Sequence, residues 1–259
     1  MPLLLLGFRD ELISRPWQPP ARHWPGSPLV GGRDEEAGGT WLAVHPGIPR
    51  VSCILNARGK QAALSSRRSR GELPLRAAAD GHQALKQLHE DHAALASYDP
   101  FFLICADLGS ALLLSWDGSR AALESLGPAT HIITNAGHTY PPAREDRAPE
   151  DPKAQHFGPK FAARRPGADP AATIQNAWGE WLTLAAGDGL PATDPAAIIA
   201  RRDLPDGRKW GTTSITLVAL GPKGLRYDFQ PAPADAKGPA TWYPIALRRT
   251  RSTPASPSR

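Results

Sequence analysis

The sequence predicts an α+β protein in which antiparallel strands form hairpins and helices are grouped between them. Three stretches carry that expectation. Residues 211–220 form an apolar and threonine-rich run, Gly221-Pro222-Lys223-Gly224 makes a turn, and Leu225-Arg226-Tyr227-Asp228-Phe229 returns with alternating apolar and polar side chains. That is the strongest hairpin signal in the chain. Residues 101–107 and 111–116 are two further apolar runs, joined by Leu108-Gly109-Ser110, and read as an antiparallel pair. Between residues 80 and 96, Ala84, Leu85, Leu88, Ala93 and Leu95 recur at helical spacing. At 259 residues the chain is long enough to bury a sizeable core, and no period of repeats interrupts it. We expect one domain over residues 1–247 and a disordered basic tail over 248–259.

Taken in order, residues 3–6 (four leucines) are a short buried strand. Arg9, Asp10 and Glu11 follow at once, and charges at the end of a buried strand need partners, because an unpaired buried charge is very costly. A hydrogen-bonded network is therefore expected here, and an architectural role weighs above a functional one. Residues 15–30 hold Pro16, Pro19, Pro20, Pro25 and Pro28, which predicts an irregular loop anchored by Trp17 and Trp24. Gly38 and Gly39 turn the chain into a strand through Val44, and residues 51–56 make its hairpin partner. A basic loop leads to Arg70-Gly71-Glu72, which opens a helix. After the helix and the central hairpin come a short strand at 124–126 and another at 130–136. Residues 140–152 are a surface loop, and 155–165 a short helix. Asp169-Pro170 reads as an N-cap with proline at the first helical position, opening a helix through Trp178, Trp181 and Leu184. Asp194-Pro195 reads the same way for residues 196–200. Residues 201–209 are a polar loop, 230–241 loose, and 242–247 a last extended piece.

Composition excludes several classes. Net charge is +5, but the basic residues are spread along the chain, without the clustered Lys/Arg and interleaved aromatics of a nucleic-acid surface. No apolar run reaches the roughly 18 residues of a membrane span, and the leading leucines are too few for a signal peptide. Cys53 and Cys105 lie inside apolar runs and read as buried thiols, which fits a reducing cytoplasm. Pro and Ala abundance points to a GC-rich bacterial source. His89 and His92 share a helix face, but no third ligand accompanies them, so a solvated face is the favoured reading.

The motifs in order resemble the NRDE family, also called the Transport and Golgi organisation 2 family. That family carries Asn-Arg-Asp-Glu, then Ser-Arg-Pro, then Gly-Gly-Thr-Trp. This chain has Phe8 in place of the Asn, followed in step by Arg9-Asp10-Glu11, Ser14-Arg15-Pro16 and Gly38-Gly39-Thr40-Trp41. Leu55-Asn56, Arg70-Gly71-Glu72, Asn135-Ala136 and Gly211-Thr212 continue the series. The resemblance implies stacked antiparallel sheets layered with helices, like the αββα sandwich of N-terminal-nucleophile hydrolases.

It also implies two functions. The first is cytoplasmic binding of a small-molecule ligand, with intracellular haem trafficking as the implied role and haem as bound cargo. Arg9, Glu11, Arg15, Trp41 and Asn56 are the candidate binding residues. Arg9, Arg15 and Arg33 could meet propionates or a phosphate, or could pair with Asp10, Glu11 and Asp34. His23, His45, His131 and His138 match an axial ligand in residue type only. The second is an amidase-like hydrolase, in which Arg9 and Asp10 orient an N-terminal Cys and Asn135 donates to the oxyanion. This sequence begins Met1-Pro2, so that reading expects a Met-Cys segment upstream. No metal site is expected. The oligomeric state is not legible.

Overall fold

The computed structural model describes residues 2–141, 150–231 and 241–247. The N-terminal half runs β1 (Leu3–Leu12), β2 (Trp17–Ala21), β3 (Val30–Asp34), β4 (Leu42–His45), β5 (Arg50–Asn56), a 3-10 turn (Arg70–Glu72), α1 (Leu73–Asp80), α2 (His82–Glu90) and α3 (His92–Leu95). It continues with β6 (Phe101–Asp107), β7 (Ala111–Trp116), β8 (Ala121–Leu126), β9 (Ile132–Thr134) and β10 (Gly137–Tyr140). The remainder holds α4 (Pro152–Ala163), α5 (Ile174–Trp178), α6 (Trp181–Ala185), β11 (Arg201–Asp203), β12 (Lys209–Gly221), β13 (Gly224–Pro231) and β14 (Tyr243–Pro244).

Two large antiparallel sheets face each other, and β9 and β10 form a separate two-stranded pair. Strands β2 to β8 form a seven-stranded meander in chain order. The other sheet has five strands, in the order β1-β12-β13-β14 with β11 also paired to β12. The side-chain period of two then separates the layers. Leu3 and Leu5 join Val218, Leu220 and Phe229 in a core with Leu42, Val44 and Val51 of the meander. Leu4 and Leu6 point the other way, with Leu217 and Ala219, under Phe157, Phe161, Trp178 and Trp181 of α4 to α6. On the far side of the meander, Leu73, Ala77, Leu85 and Leu88 of α1 and α2 cover Phe101, Leu103 and Leu114. The order is helix, sheet, sheet, helix, an α+β layered sandwich.

Several local expectations change. β1 runs through the charged triplet to Leu12 instead of ending before it. Residues 17–21 are a strand despite Pro19 and Pro20, because among the described residues β2 is an edge strand with no second neighbour, and its register with β3 shifts between Gln18 and Ala21, across the two prolines. The helix expected from Asp80 to Ala96 is broken at Gly81, which has φ +71°, and again at Asp91, whose side chain caps α3. Asp169 caps only a turn, accepting from the Ala171 amide. The helix there starts after Thr173 and breaks at Gly179, φ +51°. Residues 196–200 form turns with no helix, and the loop at 201–209 contains β11. β13 alternates as expected, yet its polar side is also buried: Arg226 and Asp228 pair beneath α5, and Trp178 Nε1 donates to Asp228 at 2.6 Å. The tail at 248–259 and most of the loops at 140–152 and 230–241 lie outside the described residues.

Candidate functional site

The charged triplet divides between the two faces of β1. Arg9 points between the sheets and is 7 % exposed. Its Nη1 donates to Thr213 Oγ1 at 2.9 Å, its Nη2 reaches Asp34 at 3.2 Å, and its guanidinium lies 4.7 Å from the Trp41 ring centre. Trp41 fits because Gly32 lies against it; a Cβ there would sit 2.2 Å from the ring. Asp34 is also held by Arg15, at 2.6 Å and 3.0 Å. Burial pushes the Asp34 carboxyl up, but hydrogen bonds from Arg15 and the Ala37 amide, with the Arg15 and Arg9 charges, outweigh it and hold it below the ordinary value. Glu11 accepts from the Leu12 amide and sits 4.0 Å from Arg15. Arg9, Arg15, Trp41 and Asp34 therefore form one packed ion-pair and aromatic network.

Asp10 points to the opposite face. It accepts from Thr212 Oγ1 at 2.7 Å, and burial pushes its carboxyl up, against that hydrogen bond and the charges of Lys153, Arg201 and Arg202. Arg9 and Asp10 are thus not a contiguous pair. Asn135 lies elsewhere again, its Nδ2 donating to the Asn56 carbonyl at 2.9 Å. Its amide is spent on closing the end of β5, while the Asn56 side chain is exposed.

A cavity of about 840 Å³ runs along β1, and Asp10, Trp41 and Asn135 all line it. Arg9, Glu11, Arg15 and Asn56 do not. One wall comes from the meander through Leu42, Cys53, Leu55 and Ile104. The other comes from residues 127–135 and from α4 and α6, through Ile132, Phe157, Phe161 and Trp181. The volume falls within the ~300–1,000 Å³ typical of ligand sites. Polar groups are sparse. Lys153 lines the cavity with no carboxylate in ion-pair range among the described residues; Arg165, exposed at the rim, donates to the Phe161, Ala162 and Arg164 carbonyls, and Arg164, also on the wall, pairs with Glu180. The Trp181 indole N–H is buried with no acceptor. His131 is on the wall too, but its Nδ1 meets His138 at 3.0 Å and its Nε2 meets the Gly127 carbonyl at 2.8 Å. The Cys53 thiol is pushed up to about 12 by burial, so it is neutral at physiological pH. Among the described residues no group of three His, Cys, Asp or Glu could hold a metal ion.

Sequence reasoning missed this cavity. Lys153, Arg165 and Trp181 carry no local motif, and only the pairing of β1 with a strand some two hundred residues away brings their walls together.

The fold and the cavity define a layered α+β sandwich with a ligand-sized space between its layers. Residues 1–163 match the family model described as Transport and Golgi organisation 2, and the chain belongs to that family. No curated protein matches the sequence. Gly211-Thr212 lies beyond the matched segment, but the structure joins it to the matched part: Thr212 pairs with Asp10 and Gly211 with Glu11.

Proposed function

We propose that this chain is a ligand-binding protein and that its ligand occupies the cavity along β1. One observation carries the reading: a largely apolar space of about 840 Å³ whose wall holds one half-buried cation, Lys153, with no carboxylate in ion-pair range among the described residues. An amphipathic acid would pair with Lys153 while covering the apolar wall. The family resemblance points to haem as the cargo, and trafficking within a reducing cytoplasm, consistent with free Cys53 and Cys105, is the role we assign. Apolar walls would cover the macrocycle and Lys153 would meet a propionate. Axial ligation by His131 would require breaking its bonds to His138 or Gly127, so we expect haem to be held without that ligand. Titration with haemin tests this. A saturable Soret shift at micromolar protein, weakened by Lys153→Glu, is expected; a flat titration would remove haem as the cargo.

The amidase-like reading has one observation in its favour, the presence of Asp10 and Asn135 on the same cavity. Against it, Arg9 faces the other side of β1 and the thiol on the wall, Cys53, is held neutral. The intact mass and N-terminal peptide of the protein made from its own locus decide it. An N-terminal Cys, with amidase activity abolished by Cys→Ala, would establish it; a chain starting at Pro2 would end it.

A further inference from the structure

The basic residues are spread along the chain with one exception. Residues 57–71 hold Arg58, Lys60, Arg67, Arg68 and Arg70 and no carboxylate, a local +5 that equals the net charge of the whole chain. The loop is firmly held. The Lys60 amide donates to the Asp117 carbonyl at 2.8 Å, and the Arg68 amide to the Ser97 carbonyl at 2.8 Å. Asp99 accepts from the Ala62 amide at 3.1 Å and pairs with Arg67 at 3.2 Å. Two glycines permit the first of these contacts: a Cβ on Gly59 would run into the Asp117 carbonyl, and one on Gly118 into that of Lys60. The loop therefore rests on the tip of the β7–β8 hairpin, which brings Arg120 to the same end of the meander as Arg58 and Lys60.

Not all of these charges are available. Arg67 pairs with Asp99, Arg68 pairs with Glu72 at 2.8 Å, and the half-buried Arg70 donates to the Pro100 carbonyl. Arg58, Lys60 and Arg120 are exposed and in no ion pair among the described residues. The same loop presents an apolar side chain. Residues 63–66 make a β-turn, closed by the Ser66 amide donating to the Ala63 carbonyl at 3.0 Å, and Leu64 stands at its first corner. Leu64 is 83 % exposed, more than any other large apolar side chain among the described residues. We propose that this surface docks the protein on an anionic lipid bilayer, with Arg58, Lys60 and Arg120 against the headgroups and Leu64 inserted at the acyl boundary. A single exposed leucine needs no explanation, and neither does a solvated group of cations. Together on one pinned loop they supply the two signals, electrostatic and apolar, of reversible attachment to a membrane surface. A nucleic acid fits less well, because unpaired bases call for aromatic stacking partners and residues 57–97 hold no Phe, Trp or Tyr. The surface uses no residue of β1 or of the cavity beside it.

Sedimentation of the full chain with vesicles tests this, using phosphatidylcholine alone and phosphatidylcholine mixed with phosphatidylserine. We expect binding to the mixed vesicles only, falling as added salt shortens the screening length. Lys60→Gln should weaken it about fivefold, and the combined Arg58→Gln, Lys60→Gln and Arg120→Gln about a hundredfold. Leu64→Ser should weaken it about tenfold. All of these side chains are exposed, so the circular dichroism of each variant should match the wild type. Lys223→Gln removes the same charge from the β12–β13 turn and should change binding by less than about twofold. If it weakens binding as much as Lys60→Gln, net charge and not this surface is responsible, and the inference fails. Absence of binding to the mixed vesicles, or equal binding to phosphatidylcholine alone, also overturns it. If Leu64→Ser binds as tightly as the wild type, nothing enters the bilayer, the surface is a patch for a soluble polyanion, and the lipid assignment falls.

Discussion

At the scale of single residues, the network around Asp34 sets the clearest expectations. Arg9 and Asp34 have side chains only 6 % and 14 % exposed. Asp34→Asn removes the carboxylate that Arg9 hydrogen-bonds and leaves Glu11 as its remaining counter-charge, a change expected to cost about 1.5–3 kcal/mol. Chemical denaturation should report that loss with an unchanged m-value. The pH dependence follows from the sign of the shift. Asp34 is held below the ordinary 3.8, so its stabilisation is fully present above that value and is lost as the pH falls beneath it. The stability gap between wild type and Asp34→Asn should therefore narrow between about pH 5 and pH 2. A constant gap would mean that Asp34 is not the carboxylate being titrated. Gly39 gives a second test. A Cβ there would lie 2.4 Å from the Gly71 backbone, so Gly39→Ala should cost about 1–3 kcal/mol through overpacking. That contact also explains why Gly38-Gly39-Thr40-Trp41 and Arg70-Gly71-Glu72 read as separate signals: the structure joins them, with the Thr40 amide donating to the Gly71 carbonyl at 2.9 Å. Asn56 and Asn135 meet in the same way. The motif residues were legible in the sequence, but the contacts joining them were not, because none is local.

Among the elements, hairpins were the most readable. β6–β7 and β12–β13 appear where alternation and turn residues place them. The misses have common causes. Prolines demoted β2, although an edge strand tolerates them. Asp169-Pro170 and Asp194-Pro195 carry the N-cap pattern, yet each closes only a turn, because such side chains serve turns as readily as helices. Trp178 and Trp181 read as one helix, but their burial is set by packing on β12 and β13, and Gly179 separates them. This packing makes α5 an anchor. Trp178→Phe keeps an aromatic side chain but removes the donor to Asp228, a carboxylate with no exposed surface, and leaves a small void where the indole was wider. We expect a loss of about 1–3 kcal/mol, read as a drop in thermal midpoint without loss of secondary structure. No change would show that Arg226 alone satisfies Asp228.

For the whole molecule, the separation into layers follows from strand alternation, but the partition into two sheets does not. The meander is built from neighbours in sequence, whereas β1 and β12 meet in a register that aligns Leu3 with Leu220. No short-range pattern encodes that pairing, and the cavity exists only because of it. Its apolar walls come from strands and helices whose apolar residues read simply as core. Its cation Lys153 carries no motif and falls outside the helix expected over residues 155–165. Among the described residues no helix is long and apolar enough to cross a membrane.

The most direct test of that account is amide hydrogen exchange of the full chain, measured with and without a ligand at saturation. Bound ligand should slow exchange in β1, chiefly over residues 3–8, and in the wall formed by residues 127–135, leaving the far helices α1 and α2 unchanged. Saturable binding with protection confined to another surface, and β1 exchanging at its free rate, would contradict the assignment of the cavity as the site.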